Sequence, residues 1–245
     1  MQKDCEIKGP VIRYQGDSAL SVEFGDRIDG GLVSRVHAFD AALNELRLAG
    51  VVETVPTYRA TTVFFDPLRA DLREIEGAVL RLASTSRDAR PAGHLWEVPV
   101  TYGHDFGIDL EDVAMHAGMK PSDLIEAHAG REYTVAMVGF LPGFSYLLGL
   151  DPRLSMPRRS EPRARIPASS ISIGGQQTAI GSLEGPSGWH LIGRTAVRPF
   201  HPGRMPEFLF EPGDRIRFRQ VSAREWSELD REAARGAPVA ERVEG

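Results

Sequence analysis

Residues 170–192 read SISIGGQQTAIGSLEGPSGWHLI. Three β-prone runs, Ser170–Ile173, Thr178–Ile180 and Trp189–Ile192, alternate with turns rich in glycine and proline. Short, evenly spaced strands with no long helix between them predict a barrel or a sandwich. The same habit extends outward from this stretch. Tyr133–Val138 precedes it, and Glu207–Phe210 and Arg215–Phe218 follow it, the last after the turn Glu211-Pro212-Gly213-Asp214. Further upstream, Leu95–Val100 reads as a strand and Asp109–Ala117 and Pro121–Ala129 as short helices. Pro121 suits a first helical position, where no N–H is needed. Arg224–Arg235 reads as a charged helical tail.

The first third has another character. Val11–Tyr14 and Leu20–Phe24 are strands flanking the turn Gln15-Gly16-Asp17, with Leu20, Val22 and Phe24 on one face. Leu32, Val36, Phe39, Leu43 and Leu46 step by four and three along a helix opened by Gly30-Gly31 and closed by Gly50. Val51–Tyr58 and Thr61–Phe65 are strands, and Leu68, Leu72, Ile75, Val79 and Leu82 mark a second amphipathic helix. The order ββαββα predicts a small sheet with helices on one face. Ser84–Gly93 (STSRDARPAG) is polar, carries Pro and Gly, and reads as a linker. The expected architecture is therefore α+β: residues 1–90 form a small α/β domain, 91–222 a β-rich domain and 223–245 the helical tail.

The chain has 245 residues and a formal net charge of −5. That sign argues against a generic nucleic-acid surface, which needs a basic excess. Cys5 is alone, so no internal disulfide and no zinc-finger spacing exists. The polar start and the lack of a long apolar run predict neither a secretory leader nor a membrane span, and the cytoplasm is the expected compartment. Lys3, Lys8 and Lys120 are the lysines of the chain. No GxxxxGK[ST] and no strand-linked GxGxxG appears. None of the seven histidines stands in a metal-binding spacing, so no metal is expected.

Three stretches can carry chemistry. Gly139-Phe140-Leu141-Pro142-Gly143-Phe144-Ser145-Tyr146 combines turn residues with three aromatics, which suits either a ligand-pocket wall or a packed hairpin corner. Arg153, Arg158, Arg159, Arg163 and Arg165 crowd a proline-stiffened segment, and guanidinium forks grip carboxylate or phosphate. Arg158 and Arg163 are the expected anion binders. Gln177 and Thr178, then Trp189 after a second tight turn, offer an amide, a hydroxyl and an indole for a polar ligand or a developing oxyanion. His128, near a predicted helix end and close to the aromatic loop, suits a general acid or base, or a histidine on the helix dipole. Ser145 and Ser187 lack a GxSxG context.

The run from His128 to Asp151, together with Pro157-Arg158-Arg159, Pro162-Arg163, Gly175-Gln-Gln-Thr178 and Trp189-His-Leu-Ile-Gly-Arg-Thr195, resembles the allophanate hydrolase subunit 1 family, also called carboxyltransferase domain subfamily 1. Tyr14-Gln-Gly-Asp-Ser-Ala-Leu-Ser-Val-Glu-Phe24 is similar to its first hairpin. The likeness spans roughly residues 11–219. It implies a cyclophilin-like β-barrel for the second domain. It also implies a subunit of an ATP-dependent amidohydrolase of the 5-oxoprolinase type, working with a subfamily 2 partner and a lamB/YcsF-like subunit. ATP then belongs to the assembled complex, since no motif here announces it. Inhibition of a sensor histidine kinase and one half of a biotin-dependent carboxyltransferase are the other roles in the family. The expected site residues are His128 and Gln177 for catalysis, and Phe140, Phe144, Tyr146, Arg158, Arg163, Thr178, Trp189 and Arg194 around a small anionic substrate, because the concentrated positive charge lies next to the aromatic Gly/Pro loop. The chain departs from the family pattern near this site: Gly185-Pro186-Ser187-Gly188 replaces Ser-Pro-Gly-Gly, and His201 replaces a usual aspartate.

Overall fold

The computed structural model describes residues 10–85 and 93–243. The chain divides into two compact units, Met1–Ala92 and Gly93–Gly245. Most of the expected linker, and Cys5, lie outside the described residues.

The first unit runs β1 (Val11–Tyr14), β2 (Ala19–Glu23), α1 (Gly30–Glu45), β3 (Val51–Pro56), β4 (Ala60–Phe65) and α2 (Leu72–Thr85). The four strands form one antiparallel sheet in the order β1-β2-β4-β3. Leu20 and Val22 from β2 and Val63 from β4 meet Val36 and Phe39 of α1 and Ile75 and Val79 of α2 in one core. Asp29 caps α1 by accepting from the Leu32 N–H at 2.9 Å. Two boundaries differ from the sequence reading. Helix α1 ends at a Leu46 cap, and Arg47 takes a positive φ. Gly50 serves the turn into β3 instead: its φ is +81°, and a Cβ there would lie 2.5 Å from the Ala70 backbone. Helix α2 starts at Leu72 and not at Leu68, because Asp71 caps it through the Arg73 N–H at 2.9 Å, leaving Leu68 exposed.

The second unit carries β5 (Leu95–Tyr102), α3 (Leu110–His116), α4 (Pro121–Ala129), β6 (Glu132–Val138), β7 (Ser145–Leu148), β8 (Arg163–Ile166), β9 (Ser170–Gly174), β10 (Gln177–Ile180), β11 (Gly185–Ser187), β12 (His190–Thr195), β13 (Arg215–Gln220), α5 (Ala223–Ala233) and β14 (Glu241–Val243). Seven strands in the order β12-β9-β10-β7-β6-β13-β5 close into a barrel, because β12 also pairs with β5. Every ladder is antiparallel except β13 on β5. Strand β5 is met on its other edge by β14 at Leu95–Glu97 and by β12 at Val100–Tyr102. Pro99, which lacks an N–H, falls between the two partners. The barrel is filled by Val98, Val100, Val135, Leu147, Ile171, Ile173, Ile192 and Ile216. Helix α3 packs on β12 and α4 on β13.

This unit departs from the sequence reading in three places. The proline-rich arginine segment contains a strand, β8, paired with β11 in a separate ribbon. Glu207–Phe210 forms no strand and makes only the bridge Phe200 to Phe208. Of the expected charged helical tail 223–245, Ala223–Ala233 is helical and Glu241–Val243 is a strand. Trp226 of α5 packs edge-on to Phe106 at 5.0 Å, and Glu241–Val243 adds to the barrel sheet.

Candidate functional site

The β6–β7 connection is held by two backbone bonds, Gly139 N–H to Phe144 O and Phe144 N–H to Leu141 O, both 3.0 Å. Phe140 sits at φ +71° and is 62% exposed, a posture that aims an aromatic ring outward at some backbone cost. Gly143 has φ +75°, and a Cβ there would meet Phe200 at 2.8 Å. From this loop the rings step inward. Phe140 lies edge-on to Phe144 at 5.7 Å, Phe144 is 4.7 Å from Tyr146, and Tyr146 is 5.8 Å from Trp189. Trp189 lies flat on Gly174, where a Cβ would come within 2.5 Å of the indole.

These rings line a cavity of about 340 Å³, whose remaining walls are Arg158, Arg159 and Pro162 and the adjoining turn Pro186, Ser187 and Gly188. That volume lies at the small end of ligand pockets (~300–1,000 Å³). Of the sequence candidates, Phe140, Phe144, Tyr146, Arg158 and Trp189 meet here.

The charges of the arginine segment are mostly spent on protein carboxylates. Arg153 binds Asp151 at 2.7 Å, and Arg165 binds Glu184 at 2.5 Å. Arg163 grips buried Asp109 bidentately at 2.6 and 2.8 Å, and Arg159 lies 3.7 Å from the same carboxylate. Arg158 has no acid partner among the described residues; its guanidinium carbon lies 5.6 Å from the Trp189 ring centroid. Burial pushes the Tyr146 phenol up, and the Arg158 charge pulls against that shift. Arg163 therefore serves as an internal anchor, which corrects its reading as a free anion fork.

Asp109 was not singled out from sequence. It stands before α3 and also accepts the Leu191 N–H at 2.7 Å. Burial alone would raise its carboxyl; the Arg163 bonds, the Leu191 N–H and the nearby cations outweigh that and hold it below the usual range. The legible signal was the arginine segment itself, whose charge an acid from elsewhere in the chain can meet as well as a ligand can.

His128 is fully buried in the barrel core and does not face the cavity. The Thr178 hydroxyl donates to Ser172 O at 3.0 Å, so it must accept from His128 Nε2–H, 3.0 Å away. Nδ1 then accepts from the Tyr102 hydroxyl at 2.9 Å, and the ring stacks on Phe218 at 4.8 Å. Burial lowers its pKa to about 3. The geometry makes His128 and Thr178 a neutral, satisfied core pair rather than a proton carrier and a ligand contact. Gln177 closes the β9–β10 hairpin opposite Gly174 and is not among the cavity's walls. Arg194 also lies away from them. Its Nε donates to Ala168 O at 2.9 Å and its guanidinium covers Trp226.

Residues 10–210 match the family of the carboxyltransferase domain, subdomain C and D. The B-type subunit of 5-oxoprolinase from Bacillus subtilis (strain 168) is 36% identical over 234 residues, covering 88% of this chain and 96% of that protein. A solved structure of a conserved uncharacterized protein from Pyrococcus horikoshii shares 39% identity with a TM-score of 0.54, covering 88% of this chain and 100% of that one. The Kluyveromyces lactis urea carboxylase has the same fold, with a TM-score of 0.78 at 19% identity, over 96% of this chain and 24% of that one.

Proposed function

The chain belongs to the carboxyltransferase domain, subdomain C and D, family, and from that membership we propose that it is the B-type subunit of a 5-oxoprolinase, the component that grips the substrate. It acts with a subfamily 2 carboxyltransferase subunit and a lamB/YcsF-like subunit in the cytoplasm, and is inactive alone. The names of its relatives support the subunit assignment. Among the described residues, no helix is long and apolar enough to cross a membrane. The likeness to urea carboxylase supports the fold alone.

The complex opens the lactam of 5-oxoproline. The ring C–N bond breaks, water oxygen joins the carbonyl carbon, and the nitrogen leaves as the amine of L-glutamate. A lactam is a poor electrophile, and ATP is consumed by the complex to activate it. The residues here do not suit that nucleotide. One unpaired guanidinium and an aromatic wall match a small monoanion, not a triphosphate, so nucleotide chemistry falls to the partner subunits. This chain's part is binding and orientation. Arg158 pairs with the carboxylate, Phe144, Tyr146 and Trp189 cover the ring, and the rest of the arginine segment stays paired internally.

The observation that carries this reading is Arg158, unpartnered on the Trp189 face of a cavity. Co-expression with both candidate partners, followed by an assay of ATP-dependent glutamate release from 5-oxoproline, tests it. Release that needs this chain and falls in Arg158→Ala supports it. Release without this chain, or none in any combination, overturns it.

A further inference from the structure

We propose that His190 is a positioning residue, one that sets Arg158 over the cavity by holding the neighbouring Pro157 carbonyl; the proposal rests on the reading of Arg158 as the substrate's anion grip. Two backbone segments are clasped here. The Arg159 N–H donates to Gly188 O at 2.7 Å. His190 Nε2 lies 3.0 Å from Pro157 O, and a carbonyl only accepts, so Nε2 carries the hydrogen. The two bonds flank Arg158 on one segment and Trp189 on the other, and between them the guanidinium meets the indole face.

The donor is itself fixed. His190 is only 7% exposed, and among the described residues its Nδ1 has no hydrogen-bond partner, so the bond to Pro157 is the one that orients the ring. The next residue, Leu191, is tied by its N–H to Asp109, the carboxylate that also holds Arg163. Pro157 has no N–H, so its carbonyl is the backbone group by which the turn can be held. Without the His190 bond, an exposed, long-chained arginine would sample many positions over the indole. With it, the cation is in place before the ligand arrives, which favours binding by pre-organisation.

The test uses the full chain labelled with 5-fluorotryptophan and the assembled complex. The chain has three tryptophans, and Trp189→Phe assigns the Trp189 fluorine resonance. His190→Leu removes the donor. It should move that resonance in the same direction as Arg158→Gln, and raise KM for 5-oxoproline about tenfold with kcat within about twofold. His190→Gln, whose amide nitrogen reaches about as far as imidazole Nε2, should restore most of both. If His190→Leu does not fold, His190→Asn, polar but too short to reach Pro157, takes its place. A Trp189 resonance and KM unmoved by loss of the donor overturn the proposal. So does a folded His190→Gln that behaves like His190→Leu. The fluorine readout needs no substrate, so failure of the 5-oxoproline reading remains distinguishable from failure of the clasp.

Discussion

Asp109 carries three N–H donors on a side chain only 3% exposed. Removing Arg163 would leave that carboxylate buried with its main cation gone. Arg163→Ala should therefore cost about 3–5 kcal/mol of folding stability, measured by urea denaturation. Arg158→Ala should change stability by less than about 0.5 kcal/mol, as exposed substitutions do. It should weaken 5-oxoproline binding to the assembled complex by about 1.5–3 kcal/mol in calorimetry, the range for a charge-assisted bond. Equal stability loss in both variants would contradict this division of labour. The arginines were plain in the sequence, but their assignment was not. Asp109 lies 54 residues before Arg163, and no local pattern pairs residues so far apart. His128 illustrates the same limit, since a helix-end histidine beside an aromatic loop reads alike whether it turns inward or outward. Its burial has a pH consequence. The unfolded chain takes up a proton near the ordinary value of 6.5, and the folded state refuses it until about 3. Acid thus favours unfolding across that window. The wild type should lose on the order of 3 kcal/mol between pH 7 and pH 4 from this group. Denaturation across that pH range should show a flatter limb in His128→Asn; an unchanged slope would assign the acid sensitivity elsewhere.

Among the elements, helices and hairpins with a clear period were legible. Helix α4 begins at Pro121 as its sequence indicates, and β9 and β10 turn at the glycine pair. What escaped was pairing that local sequence does not signal. Strand β8 lies among prolines and arginines, and it is a strand because β11 lies beside it. Glu207–Phe210 carries three apolar residues in a row, Phe208, Leu209 and Phe210, but has only the Phe200 bridge as a β neighbour. The cavity was half legible: its rings were, and the inward path of Trp189 was not. That path depends on Gly174. Gly174→Ala would drive a methyl into the indole, and either the hairpin or Trp189 must yield. We expect a stability loss of about 1–3 kcal/mol from overpacking. A fall in 5-oxoproline affinity comparable to that of Trp189→Ala should accompany it, measured by thermal melting and calorimetry. Full affinity in a folded Gly174→Ala would show that the indole does not form the cavity wall.

At the scale of the molecule, a β-rich unit following an α/β unit could be read from the change in punctuation after Ser84–Gly93. The strand pattern alone left barrel and sandwich open and the family resemblance implied the barrel, which closes because β12 and β13 both find β5. Residues 93–245 should unfold as one cooperative transition when expressed alone, since their core is self-contained. A chain ended after Gln220 should not, having lost both Trp226 against Phe106 and the strand on Leu95–Glu97. Circular dichroism melts of the two fragments check this, and a cooperative melt in the shorter one would show that α5 and β14 are dispensable. The parallel ladder of β13 on β5 has a further meaning in time. Strand β5 begins the barrel, and the partner that flanks it is nearly its last strand; Asp214 receives the His94 N–H from 120 residues away. During synthesis β5 emerges early and waits, with the backbone N–H and C=O groups of one edge unpaired, until Arg215–Gln220 leaves the ribosome. Such distant closure is slow, and the waiting edge invites wrong partners. The interval between making β5 and making β13 is thus when the nascent chain is most open to misplaced strand pairing.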